Sequence, residues 1–167
     1  MDLDSLIIYT AITGDSELYL DQPFILEGVR HLCYADDKGM VPTGWEHIPI
    51  TGLDKLNNKD KNRYIKINPS KVLPNHDISL YIDYNIQIQK DVSQLVRKII
   101  GHHNSVFLYD HPFRQCIYEE GRAILKLGLA PFFPTLFQLK RYTNSNFPKD
   151  QGLYEANIMF RKNCESQ

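Results

Sequence analysis

The sequence predicts an α/β domain with a mostly parallel sheet and helices on both faces, and three observations predict it. Short runs rich in β-branched and aromatic residues alternate with runs whose apolar residues recur at helical spacing. The strand-like runs near the start are continuously apolar, as strands buried on both faces are. Each of these runs stops at a polar or glycine-containing turn.

In order, residues 6–13 (Leu-Ile-Ile-Tyr-Thr-Ala-Ile-Thr) form the first strand, stopped by Gly14-Asp15. Residues 31–35 repeat the pattern and end at Asp36-Asp37-Lys38-Gly39, and residues 45–50 give a shorter strand. A polar stretch over 54–63 leads into a helix or irregular segment interrupted by Pro69 and Pro74. Residues 78–83 (Ile-Ser-Leu-Tyr-Ile-Asp) are the third strong strand. Val92, Leu95, Val96 and Ile99 then sit at helical spacing, with Gly101 placed to stop the helix. Residues 105–110 read as a strand, 114–128 and 135–142 as helices bracketed by Gly or Pro, and 153–161 as a last strand.

Bulk properties narrow the function. A chain of 167 residues is one domain of ordinary size, with 43% hydrophobic and 23% charged residues typical of a globular protein. The net charge of −1 gives no bulk attraction to nucleic acid or to an anionic membrane. Cys33, Cys116 and Cys164 are far apart and odd in number, which makes neither a disulfide framework nor a zinc pattern and suits a reducing, cytoplasmic compartment. No signal peptide and no membrane span is expected.

In open parallel sheets, ligands bind outside the carboxyl ends of the strands. That rule selects residues 10–15, Asp36-Asp37, and 83–85, where polar groups follow apolar strands. Asp83 and Asn85 point the same way if the chain stays extended, and would then offer two hard oxygen ligands to Mg²⁺ or Mn²⁺. The alternative is an ordinary turn. Arg63 and Lys66 precede this strand as hydrogen-bond donors to phosphate or as solvated surface charges. His111, in Asp-His-Pro-Phe-Arg, is a general base, a hydroxyl-binding group, a metal ligand, or a histidine bonded within its own loop. Of Glu119 and Glu120, adjacent on a helix, at most one faces a given site. His102-His103 fall at a helix end and make no metal site by themselves.

Several strings occur together in a recognisable order. They include Ile-Tyr-Thr-Ala-Ile-Thr-Gly at 8–14, Leu-Cys-Tyr-Ala-Asp-Asp at 32–37 and Trp-Glu-His-Ile-Pro-Ile at 45–50. Arg-Tyr-Ile-Lys at 63–66, Ser-Leu-Tyr-Ile-Asp-Tyr-Asn-Ile at 79–86 and His-Pro-Phe-Arg-Gln-Cys-Ile-Tyr-Glu-Glu at 111–120 continue the match, with Gln138, Tyr142, Phe147-Pro148 and 152–155 behind them. Over nearly the whole chain this resembles a glycosyltransferase-like domain family with bacterial and plant Golgi members, similar in turn to the glycogenin-type transferases. The resemblance implies a GT-A-like (Rossmann-like) fold over residues 1–167 and a nucleotide-sugar donor with a glycan or polysaccharide acceptor, with no nucleic acid. It places Tyr9, Thr10, Asp36, Arg63, Lys66 and Gln138 near the nucleotide sugar. Asp83 and Asn85 would hold Mn²⁺ or Mg²⁺ against the diphosphate. His111, Glu119, Glu120 and Glu155 are the candidates for the base that an inverting transfer requires.

The chain departs from that pattern in several places. Asn85 replaces a second Asp, Tyr84 is bulky where a small residue is usual, and Ser70 stands where His is expected. No His follows His111, and the Arg-Asp-Gln string beyond the last strand is missing, as in a truncated or minimal domain. Three functions compete: a metal-dependent glycosyltransferase, a nucleotide-sugar- or glycan-binding module without turnover, and, more distantly, a phosphate-ester hydrolase.

Overall fold

A computed structural model describes residues 3–14 and 20–163; Asp15 of the first strand end and Cys164 lie outside them. The strands are β1 Leu6–Ile12, β2 Arg30–Ala35, β3 Glu46–Pro49, β4 Ile78–Ile82, β5 Val106–Asp110 and β6 Tyr154–Lys162. The helices are α1 Asn58–Ile67, α2 Pro69–Val72, α3 Ser93–Ile100, α4 Ile117–Lys126 and α5 Phe132–Asn144. The six strands form one sheet in the order β3-β2-β1-β4-β6-β5. β1 pairs in parallel with both β2 and β4, and β2 pairs in parallel with β3. β6 runs antiparallel to β4. The fold is therefore α/β with a mixed, mostly parallel sheet.

By compactness the chain divides into two units, Met1–Phe107 with Asn157–Gln167, and Leu108–Ala156. In the first unit β1 explains why its sequence is apolar without alternation. Leu6, Ile8 and Ile12 enter one core cluster, which also takes in Val96 and Ile99 of α3. Ile7, Tyr9 and Ala11 enter a second cluster, with Ile65 of α1 and Leu73 after α2. Side chains alternate across a strand, so a strand covered by helices on both faces needs apolar residues at every position.

The second unit is built on the pairing of α4 with α5. Gly121 of α4 makes the close approach possible: a Cβ there would lie 2.5 Å from Cδ2 of Leu139. The helix expected from residue 114 begins at Ile117, because Nδ1 of His111 accepts from the amides of Phe113 and Arg114 and holds those residues in a turn. The helix expected from residue 135 begins at Phe132. Pro134 falls in its first turn, where a backbone N–H has no helical partner and its loss costs nothing.

His31 on β2 is buried, with both ring nitrogens engaged. Nδ1 donates to the Val29 carbonyl at 2.9 Å and Nε2 accepts from the Leu26 amide at 3.3 Å, an arrangement that requires the neutral ring. Burial lowers its pKa from the ordinary 6.5, partly offset by the Val29 bond. The unfolded chain then binds the proton more readily than the folded one. The stabilisation is complete above pH 6.5 and is lost as pH falls from there toward the lowered folded value. The urea midpoint should drop between about pH 7.5 and about pH 5.5, and His31→Gln should flatten that slope. An equal slope in the variant would assign the pH dependence to other groups.

Candidate functional site

Strand order in the sheet reverses at β1: the chain passes from β1 to β2 on one side, and β4 later returns to the other. Parallel pairing of β1 with β4 brings their carboxyl ends to one edge, with a crevice at the switch. An open cleft of about 410 Å³ lies there, lined by Thr13, Asn58, Lys59, Asn62, Arg63, Lys66, Asp83, Tyr84 and Asn85. All of these belong to the first unit.

Helix α1 supplies one wall. Positions 58, 59, 62, 63 and 66 follow i, i+1, i+4, i+5, i+8 spacing and so share a face. That face carries two amides and three cations, against the single carboxylate of Asp83 in the cleft. The helix starts at an Asn57 cap, whose side chain accepts from the Asp60 amide at 2.9 Å. Its side chains then tie it to the sheet edge. Asn62 Nδ2 donates to the Ala11 carbonyl at 2.7 Å, and Thr13 Oγ1 donates to the Asn58 carbonyl at 2.8 Å. At the far end the Lys66 carbonyl accepts from the Tyr9 hydroxyl at 3.1 Å and from the Arg161 guanidinium at 2.9 Å.

Asp83 sits just past β4, its amide bonded to the Asn157 carbonyl at 2.8 Å. Its Oδ1 accepts from Lys66 Nζ at 3.0 Å, and that ammonium stands 4.9 Å from the centroid of the Tyr81 ring. Burial first, and then the Asp83 carboxylate, push the Tyr81 hydroxyl far above its usual range, so it stays a neutral donor toward Asn62. The chain does not remain extended after Asp83. The Ile86 amide bonds back to the Asp83 carbonyl at 2.9 Å, closing a turn over Tyr84-Asn85. Asp83 and Asn85 both line the cleft, but the turn brings them there rather than strand alternation.

Two side chains expected beside a nucleotide are in the core instead. Tyr9 is 0% exposed and Thr10 is 3% exposed. Burial raises the Tyr9 hydroxyl to about 12, against the opposing pull of Arg161. Tyr9 thus acts as a neutral strut behind α1. Asp36 stands exposed at the end of β2, where Oδ2 accepts from the Gly14 amide at 2.9 Å and Oδ1 pairs with Lys61 at 3.5 Å. It fixes Gly14, just past the end of β1.

The remaining candidates lie in the second unit. Arg114 bonds Glu120, and His111 Nε2 lies 3.7 Å from Glu120 and 4.0 Å from Glu155. Because Nδ1 of His111 accepts two backbone amides, the neutral ring carries its proton on Nε2, facing those carboxylates. Arg114 Nη2, 3.1 Å from that nitrogen, has no lone pair to receive there. His111 therefore organises its loop, with Glu120 and Glu155 beside its Nε2. Glu119 is exposed on α4, so one of the adjacent pair joins the cluster and the other does not. Gln138 donates to the Tyr142 hydroxyl at 2.7 Å in a groove along α5.

Among the described residues, no three His, Cys, Asp or Glu side chains cluster to hold a metal. The end of β4 offers one carboxylate, already paired with Lys66, and the amide of Asn85. Two oxygen ligands fit a cation that arrives with its phosphates and keeps several waters. They do not make a preformed cage. No protein-family model, curated protein or solved structure matches the chain.

Proposed function

We propose that this cleft binds the diphosphate of a nucleotide sugar and that the protein is a glycosyltransferase passing the sugar to a glycan or polysaccharide acceptor. The observation that carries the reading is the cationic face of α1 (Lys59, Arg63, Lys66) at the switch between β1 and β4. Bond cleavage leaves charge on the nucleoside diphosphate, and fixed cations beside it stabilise that charge. Arg63 is suited to a forked contact with phosphate and Lys66 to a point contact. A Mn²⁺ or Mg²⁺ carried in with the donor would be held by Asp83 and Asn85 and would add a Lewis acid at the leaving group. Transfer with inversion also needs a base for the acceptor hydroxyl.

The Lys66–Asp83 pair favours one second reading, a nucleotide-sugar- or glycan-binding module without turnover, since a lysine occupies the carboxylate that a metal would use. Calorimetry with a panel of nucleotide sugars, with and without Mn²⁺, separates the two when followed by assay of nucleoside diphosphate release. The transferase reading expects Mn²⁺-dependent binding that Asp83→Ala abolishes, together with release. Binding that ignores Mn²⁺ and survives Asp83→Ala, with no release, supports the module.

A further inference from the structure

The second unit carries a surface that the cleft chemistry does not use. The connection after α4 and the first turn of α5, residues 127–134, read Leu-Gly-Leu-Ala-Pro-Phe-Phe-Pro, without one polar side chain. Leu127, Leu129, Phe132 and Phe133 are each more than half exposed, at 65%, 61%, 59% and 68%. Phe137, one turn further along α5, is 66% exposed. Phe133, Phe137 and Lys140 recur at i, i+4 and i+7 and share a face, whereas Leu139 turns inward against Gly121. Contiguous exposure of this kind marks a surface made to be covered.

Charge identifies what covers it. The hairpin, residues 117–144, holds four cations (Arg122, Lys126, Lys140, Arg141), and its two carboxylates, Glu119 and Glu120, sit in the first turn of α4, so the end around the apolar tip carries cations alone in a chain whose net charge is −1. A second copy docked through the apolar tip would set these cations against their own kind. The apolar tip, in turn, has no side-chain donor or acceptor to pair with a polar protein partner. A bilayer matches both parts. Lys140 shares the face of Phe133 and Phe137, so its long side chain has the reach to hold the ammonium at the headgroups while those rings enter the apolar layer. Lys126, beside the tip, has the reach to extend its ammonium back to the phosphates. No helix of the described residues is long and apolar enough to cross a membrane, so the hairpin would lie in the interface.

We propose that the α4–α5 hairpin docks on an anionic lipid surface, with residues 127–133 inserted among the acyl chains and the flanking lysines and arginines on the headgroup phosphates. The proposal is independent of what the cleft binds. Its test is flotation of the full chain with vesicles of phosphatidylcholine alone and of phosphatidylcholine with phosphatidylserine. Binding is expected only to the mixed vesicles. It should fall about fivefold for each charge removed in Lys126→Gln and Lys140→Gln. Phe132→Ser with Phe133→Ser should lower it by roughly tenfold or more. Trp45 is buried and is the one native tryptophan, so Phe133→Trp adds a reporter whose emission should shift to the blue on the mixed vesicles. Failure of the native chain to float, or unchanged flotation of the double Phe variant, overturns the proposal. So does lipid-free dimerisation that the same variant abolishes. If the Phe variant does not fold, the lysine variants and the tryptophan shift decide.

Discussion

Lys66→Ala should weaken binding of a nucleoside diphosphate by roughly ten- to a hundredfold, the range of a lost charge-assisted hydrogen bond of about 1.5–3 kcal/mol. The reason is position. Lys66 lies on the cationic face of α1, over the Tyr81 ring, with its ammonium 3.0 Å from Asp83. The pair is 15% and 27% exposed, so its loss should cost about 1 kcal/mol of stability or less. Removing Lys66 also leaves the Asp83 carboxylate alone to repel an incoming phosphate. Titration calorimetry and a thermal melt on the same variant separate the two effects. Native affinity in Lys66→Ala would mean that the diphosphate, if bound, does not enter this cleft.

Arg161→Ala should act through stability and reach the cleft only indirectly. Its Nη1 donates to the Tyr9 hydroxyl at 3.0 Å and to the Lys66 carbonyl at 2.9 Å. Truncation leaves the buried phenol without its donor and takes one of two donors from the Lys66 carbonyl, at a cost of about 2–3 kcal/mol. Tyr9→Phe removes one member of the same network and should cost about 1 kcal/mol. The double variant should lose less than the sum, since both bonds serve one junction. Urea denaturation of the four proteins tests this. Strict additivity would show that Tyr9 and Arg161 act separately.

The two results bear on how much of the structure was legible in the sequence. Strands β1, β2 and β4 were legible because a strand buried on both faces leaves an uninterrupted apolar signature. The strand-end rule then pointed to residues 83–85, which do line the cleft. Helix α1 was obscure for a physical reason. Only Ile65 is buried in it, and it is held by side-chain bonds to strand ends, so no apolar period announces it. Its i, i+4, i+8 polar face (Asn58, Asn62, Lys66) was the signal available, yet only Arg63 and Lys66 stood out.

Tyr9 was assigned to the nucleotide although it alternates with Ile7 and Ala11, a pattern that places it in the core. Arg161 could not be found by spacing, since its partner Tyr9 lies 152 residues away. Asn85 was reached by assuming an extended chain, whereas the turn at 84–85 is the alternative that an Asp-x-Asn string always carries.

The central claim is that a nucleoside diphosphate sits between α1 and the end of β4. Its most direct test is an amide-resolved NMR titration with nucleoside diphosphates. The account predicts chemical-shift changes confined to residues 58–66, the loop after β1 and residues 83–86, with the cleft response lost in Lys66→Ala. Silence at those amides at saturating ligand, or changes confined to other elements, would contradict it.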